Sequence, residues 1–137
     1  MSTLQYQSPA NARVDIMLFS GFRIRSAQRD GETDRTRFER LSQMVAKLGD
    51  EIENERAGLE RRYSETKTSA AFAQATLENE GDTTISTKVD DLTSSMLRYE
   101  ARIEALGRQK TFVTGIGKSI ADFAAATAKL DDGDSAS

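Results

Sequence analysis

Val89-Asp90-Asp91-Leu92-Thr93-Ser94-Ser95-Met96-Leu97-Arg98-Tyr99-Glu100-Ala101-Arg102-Ile103-Glu104-Ala105-Leu106 is the stretch whose reading decides the fold. Val89, Leu92, Met96, Tyr99, Ile103 and Leu106 recur at alternating steps of three and four residues. The pattern passes over Lys110, resumes at Val113, passes over Gly117 and runs through Ile120 to Ala124. Such spacing gives a helix one apolar stripe, the seam of a coiled coil. Ser, Thr, Asp, Glu, Arg and Lys fill most positions between, so the opposite face is suited to water. A helix of this kind is unstable alone, and its stripe must be covered by another helix.

Upstream, residues 32–77 supply the second helix. Phe38, Leu41, Val45, Leu48, Ile52 and Leu59 keep heptad spacing, with Glu55 in one seam position. After Leu59 the apolar phase moves on by four through Tyr63, Thr66, Ala70, Ala73 and Leu77, which predicts a stutter. Gly49-Asp50 with Glu53 offers a stop and a cap, yet Leu48 and Ile52 hold their phase across it, so one continuous helix is expected. Residues 78–86 are turn chemistry, with the reversal at Gly81-Asp82 and the next helix capped by Ser86 or Thr87. Folding back near position 82 sets Leu41 opposite Phe123, Leu48 opposite Ile116, and Ile52 opposite Val113 or Phe112. It sets Leu59 opposite Leu106 and Ala73 opposite Leu92. The expected fold is all-α, a long antiparallel helical hairpin over residues 32–130 with arms of ~70 Å. Its seam is Leu41, Val45, Leu48, Ile52 and Leu59 against Leu92, Met96, Tyr99, Ile103, Leu106 and Val113.

Before the hairpin, residues 13–31 form a short apolar segment. Val14, Ile16 and Leu18 alternate, but Met17, Leu18 and Phe19 are consecutive, so strand and helix stay open. Asp30-Gly31-Glu32-Thr33-Asp34 has the composition of a turn and a helix start. Residues 1–12 are polar and expected to be flexible, and residues 131–137 form an acidic tail expected to fray.

Composition narrows the chemistry. With 30% charged residues, 7% aromatic and a single proline (Pro9), the chain suits long helices better than a thick globular core. No cysteine removes disulfides and thiolate chemistry, and no histidine removes the commonest general base and metal ligand. A net charge of −3 gives no general attraction to nucleic acid. No apolar run approaches the ~20 residues of a membrane span. Gly115-Ile116-Gly117-Lys118-Ser119 invites a phosphate-loop reading, but Phe112 stands where the motif needs its first glycine and no strand precedes it. Arg23, Arg25 and Arg29 beside Phe22 read as solvated side chains rather than a phosphate-binding patch. No catalytic residues, cofactor site or metal site are expected, and the chain does not read as an enzyme.

Residues 18–30, Leu-Phe-Ser-Gly-Phe-Arg-Ile-Arg-Ser-Ala-Gln-Arg-Asp, resemble the Leu-x-Ser-Gly-x-Arg-Ile-x-Ser-Ala-x-x-Asp signature of bacterial flagellins. The lead-in Ile16-Met17-Leu18-Phe19-Ser20 is similar to the segment before the long helix of EspA-type filament proteins of type III secretion. The resemblance implies a helical hairpin that polymerises into an extracellular filament. It also implies export through a secretion apparatus on a polar amino-terminal signal, and a cytoplasmic chaperone. Under it, Ile16, Met17, Leu18, Phe19, Phe22 and Ile24, with Ile116, Ile120, Phe123 and Leu130, are the residues that dock onto neighbouring copies. The expected function is therefore a secreted, self-assembling structural subunit. The alternative is a cytoplasmic coiled-coil adaptor or export chaperone that lays its stripe against a partner helix.

Overall fold

A computed structural model of the chain describes the backbone of residues 9–134 and the side chains of residues 26–134. It contains two helices and, among the described residues, no strand: α1, Pro9–Glu80, and α2, Thr83–Asp134. By its internal contacts the chain divides into two units, residues 1–40 and residues 41–137.

In the first unit, helix runs through residues 13–31, which resolves the ambiguity left by the alternating pattern. It also runs through Asp30-Gly31-Glu32-Thr33-Asp34, where a turn and a new helix start were expected. Capping residues are equally able to bond along a helix, and here they do. Thr36 Oγ1 donates to the Glu32 carbonyl at 2.9 Å, and Arg37 pairs with Asp34 at 3.3 Å. Gly31 in a helix interior costs ~1 kcal/mol, less than ending one helix and nucleating another. The helix covers Pro9 to Ala12, so of the polar start only residues 1–8 lie outside the described ones.

The second unit is the hairpin. Gly81 adopts φ +63°, the left-handed conformation that a side chain would strain, and its N–H donates to the Leu77 carbonyl at 2.8 Å. Asp82 then caps α2, its Oδ1 accepting the Thr84 N–H at 3.0 Å. The cap is thus four residues earlier than Ser86, because the first acceptor side chain after the reversal takes the role. At its far end α2 continues through Asp131-Asp132-Gly133 to Asp134 instead of fraying at Leu130; residues 135–137 lie outside the described ones.

The seam mirrors about Gly81. Gly49, 32 residues before the turn, lies against Val113, 32 residues after it; Val45 and Gly117 repeat the relation at 36. The reversal pivots one residue earlier than position 82, so α2 slides by two to three residues against the expected pairing. Ile52, Leu106 and Val113 form the buried cluster, Leu106 with only 1% exposure, and half-buried Val45 and Leu59 pack on it. Ala73 and Ile120 are buried towards the turn and the open end respectively.

The expected stutter is absent. Val45, Gly49, Ile52, Arg56, Leu59, Tyr63, Thr66, Ala70, Ala73 and Leu77 of α1 are all buried or half-buried and alternate by four and three without a phase shift; Ala57, Gly58 and Thr76, also half-buried, flank that line. Leu48 and Glu55 were placed in the seam one residue too early; Gly49 and Arg56 occupy it instead. Both lines pass through Val45, Ile52 and Leu59, and only the run from Tyr63 onwards selects between them. Gly49 suits Lys110, whose Nζ crosses the seam to the Gly49 carbonyl at 3.2 Å.

A Cβ placed on Gly49 would meet Lys110 Nζ at 3.5 Å and Val113 Cγ1 at 3.8 Å, ordinary contact distances. Gly49→Ala is therefore expected to stabilise the hairpin by about 0.5–1 kcal/mol through helix propensity. Leu106→Ala is expected to destabilise it by about 3 kcal/mol by emptying the centre of the cluster. Urea denaturation followed by circular dichroism measures both.

Candidate functional site

Assigning Val45, Ile52, Leu59, Thr66 and Ala73 of α1, and Leu92, Tyr99, Leu106, Val113 and Ile120 of α2, to heptad position a places the seam on positions a and e. A residue advances about 100° around a helix, so d and g fall on one side of that seam and b on the other. Reversing one helix and turning it to face its neighbour leaves equal letters on the same side. Two cross-helix bonds confirm it. Arg102 and Glu55, both at d, form a bidentate pair, Nε to Oε1 at 3.0 Å and Nη2 to Oε2 at 3.2 Å. Tyr63 at e donates to Glu100 at b, at 2.7 Å, across the other side.

The exposed large apolar residues then sort by side. Leu41, Leu48, Phe123 and Leu130 are at d; Met44, Phe72 and Phe112 are at g; only Leu97 lies elsewhere among the described residues. Met44 and Phe112 leave more than two-thirds of their surface in water, at 68% and 69%. Half-buried Ile116, also at d, joins the strip. Its density is greatest at the open end, between Leu41 and Leu48 on α1 and between Phe112 and Phe123 on α2. At the open end these side chains form one apolar cluster, while Phe72 stands apart from it beyond Glu51, Glu55, Arg62 and Glu65.

Of the residues assigned from sequence to the seam, Ile52, Leu106 and Val113 are buried. Val45, Leu59, Leu92, Met96, Tyr99 and Ile103 are half-buried, while Leu41 and Leu48 stand on the exposed d column. Of those assigned to docking, Ile116, Phe123 and Leu130 lie on the exposed strip, whereas Ile120 is 8% exposed and sits in the seam at a. The side chains of Ile16, Met17, Leu18, Phe19, Phe22 and Ile24 lie outside the described residues, although their backbone is helical. Sequence reading missed Met44 and Phe72, and offered Phe112 as an alternative to Val113 in the seam, whereas Val113 takes that place and Phe112 is 69% exposed. Their signal was available: each falls one residue before a seam position, beside the d column.

On the opposite side an open groove of about 630 Å³ is lined by Arg56, Ile103, Gly107 and Thr111, with Glu104 and Arg108 at its rim. Its charges are already paired, Arg108 with Glu104 at 3.0 Å and Arg56 with Glu60 at 3.2 Å, and Glu104 is its single carboxylate. Among the described residues no three acidic side chains are grouped to hold a metal ion, and no helix is long and apolar enough to cross a membrane. Gly115 to Ser119 lies inside α2, where Ser119 Oγ donates to the Gly115 carbonyl, so the glycines do not form a phosphate-binding loop. No family model, curated protein or solved structure matches the chain.

The hydrogen bond to Glu100 raises the Tyr63 phenol above its ordinary value of 10.0, with smaller contributions from desolvation and the nearby carboxylate charge. A folded-state value above the unfolded one means that this bond supports the fold at neutral pH and below. Its contribution fades as the phenol ionises above pH 10. In a spectrophotometric titration of the folded chain, Glu100→Gln is expected to bring the Tyr63 transition to lower pH.

Proposed function

We propose that the chain is a structural, self-assembling subunit of an extracellular helical filament exported by a bacterial type III secretion system. The observation that carries the reading is the one-sided distribution of exposed apolar side chains: the hairpin closes its own narrow seam and leaves seven large ones on the d and g columns exposed over 42–78% of their surface. A protein whose role ended with the hairpin would gain nothing from them, and burying such residues is the main driving force for association. The flagellin-like string at residues 18–30 supports the filament form of assembly, and a repeated head-to-tail contact generates a helical polymer.

In this reading Ile116, Phe123 and Leu130, with the apolar segment at residues 16–24, meet neighbouring copies, and a cytoplasmic chaperone covers them before export. The lack of cysteine and the small buried cluster also suit a chain that must thread a narrow channel unfolded and fold again outside. The competing reading, a cytoplasmic adaptor or export chaperone, uses the same strip for one partner helix and stops at a small oligomer.

Negative-stain electron microscopy of the purified full chain is expected to show filaments of uniform width. A monodisperse monomer at high concentration, across salt and pH, would contradict self-assembly.

A further inference from the structure

We infer that the open half of the hairpin has a second packed phase, in which both arms turn so that column d replaces column e in the seam and draws Leu41, Leu48 and Ile116 inside. The inference stands on the seam itself and does not depend on the filament reading. Columns d and e lie about 100° apart around a helix, on either side of a. The described phase uses a and e, and its layers at the open end set a large residue on a small one. Val113 lies against Gly49 and Val45 against Gly117, and at the same register Ile120 comes level with Ser42. A slip of one residue, ~1.5 Å, with a turn of about 50° in each arm, exchanges those small partners for column d. Val113 then meets Leu48, Val45 meets Ile116 and Ile120 meets Leu41, so each of these layers becomes large on large. Leu41 and Leu48, now 42% and 47% exposed, are covered by the opposite arm of the same chain. Met44 and Phe112, at g, stay outside the seam in either phase. Against this gain, the described phase holds the Lys110 bond to the Gly49 carbonyl at 3.2 Å and the close approach at Gly49 and Gly117.

The exchange is confined to the open half. Towards the turn, column d would put Arg62, Ser69, Ser95 and Arg102 where Tyr63, Ala70, Met96 and Ile103 now stand, so burial holds that half on a and e. The phase must then cross at Leu59 and Leu106. In α1 the new path takes two steps of four, Glu55 to Leu59 to Tyr63, which underwinds the coil. In α2 it takes two steps of three, Ile103 to Leu106 to Gln109, which overwinds it. Opposite changes of twist are what two arms turning against each other like meshed gears require. Gly58 and Gly107 stand beside Leu59 and Leu106, at the crossing. Packing accounts for neither: a Cβ on Gly107 meets nothing within 4 Å, and one on Gly58 meets only Arg61 Nη2 at 3.8 Å. Glycine inside a helix lowers the cost of a local change in twist.

The chain has no cysteine, so introduced thiols report the phase directly. A disulfide needs its Cβ atoms roughly 3.5–4.5 Å apart, which a d position reaches only when d enters the seam. Leu48→Cys/Val113→Cys and Thr66→Cys/Ser95→Cys place the same d-to-a pair in the open half and in the turn half. Both variants of the full chain are oxidised at low concentration, with helicity checked by circular dichroism, and the intramolecular disulfide is followed by mass spectrometry. The 48–113 bond is expected to form at least tenfold faster than the 66–95 bond; a 48–113 bond that forms no faster overturns the second phase. Val45→Cys/Ile116→Cys repeats the relation with Leu48 in place, and is read against 66–95 in the same way should replacing Leu48 loosen the open end. Adding Gly58→Ala and Gly107→Ala is expected to slow the 48–113 bond at least threefold, and an unslowed bond overturns the crossing at the glycines. Filaments, or their absence, leave this result as it stands, and a failed 48–113 bond leaves the filament reading as it stands.

Discussion

Two helices joined by a two-residue reversal have only one register available to them, and the rest of this structure follows from that constraint. The left-handed conformation of Gly81 ends α1, the Asp82 carboxylate starts α2, and every seam residue is then paired by its distance from Gly81. Hydrophobic burial along that seam is sparse but continuous, densest at Ile52, Leu106 and Val113 and thinning to alanine near the turn. Polar seam residues are accommodated by partners of matching size. Lys110 lies over Gly49, and Gly117 faces Val45.

Much of this was legible in the residues themselves. The stripe of α2 is marked by large apolar side chains at a from Leu92 to Ile120 and at e from Val89 to Ile103, so its phase could be read without a structure. The Gly81-Asp82 turn carries the two residue types such a turn requires. The phase of α1 was harder, because two heptad lines share Val45, Ile52 and Leu59. One adds Leu41 and Leu48, the other Gly49 and Arg56. Hydrophobicity favours the first line, but continuity with Tyr63, Ala70 and Leu77 favours the second, and continuity prevails because a coiled coil resists changing phase. The Asp30–Asp34 stretch misled for a related reason. Local capping signals are weak beside the cooperative preference of an existing helix to continue.

Leu41 and Leu48 thus moved from the inferred core to the surface, and with them the functional emphasis of the molecule. A strict two-column seam would have left an inert hairpin. The third column leaves large apolar side chains exposed at the open end, while further down the same side carries charges, Glu55 and Arg102 among them paired across the two helices. Neither enclosed chemistry nor a grouped ligand set accompanies that side among the described residues.

The most direct test of the seam is a Gly49→Cys/Val113→Cys double variant, oxidised gently at low concentration and resolved by mass spectrometry. The phase described here predicts an intramolecular disulfide in nearly every chain, because a Cβ at position 49 would lie 3.8 Å from Val113 Cγ1. A folded, fully helical variant in which the bond fails to form, and in which the thiol at position 49 is alkylated as fast as a free one, would contradict it.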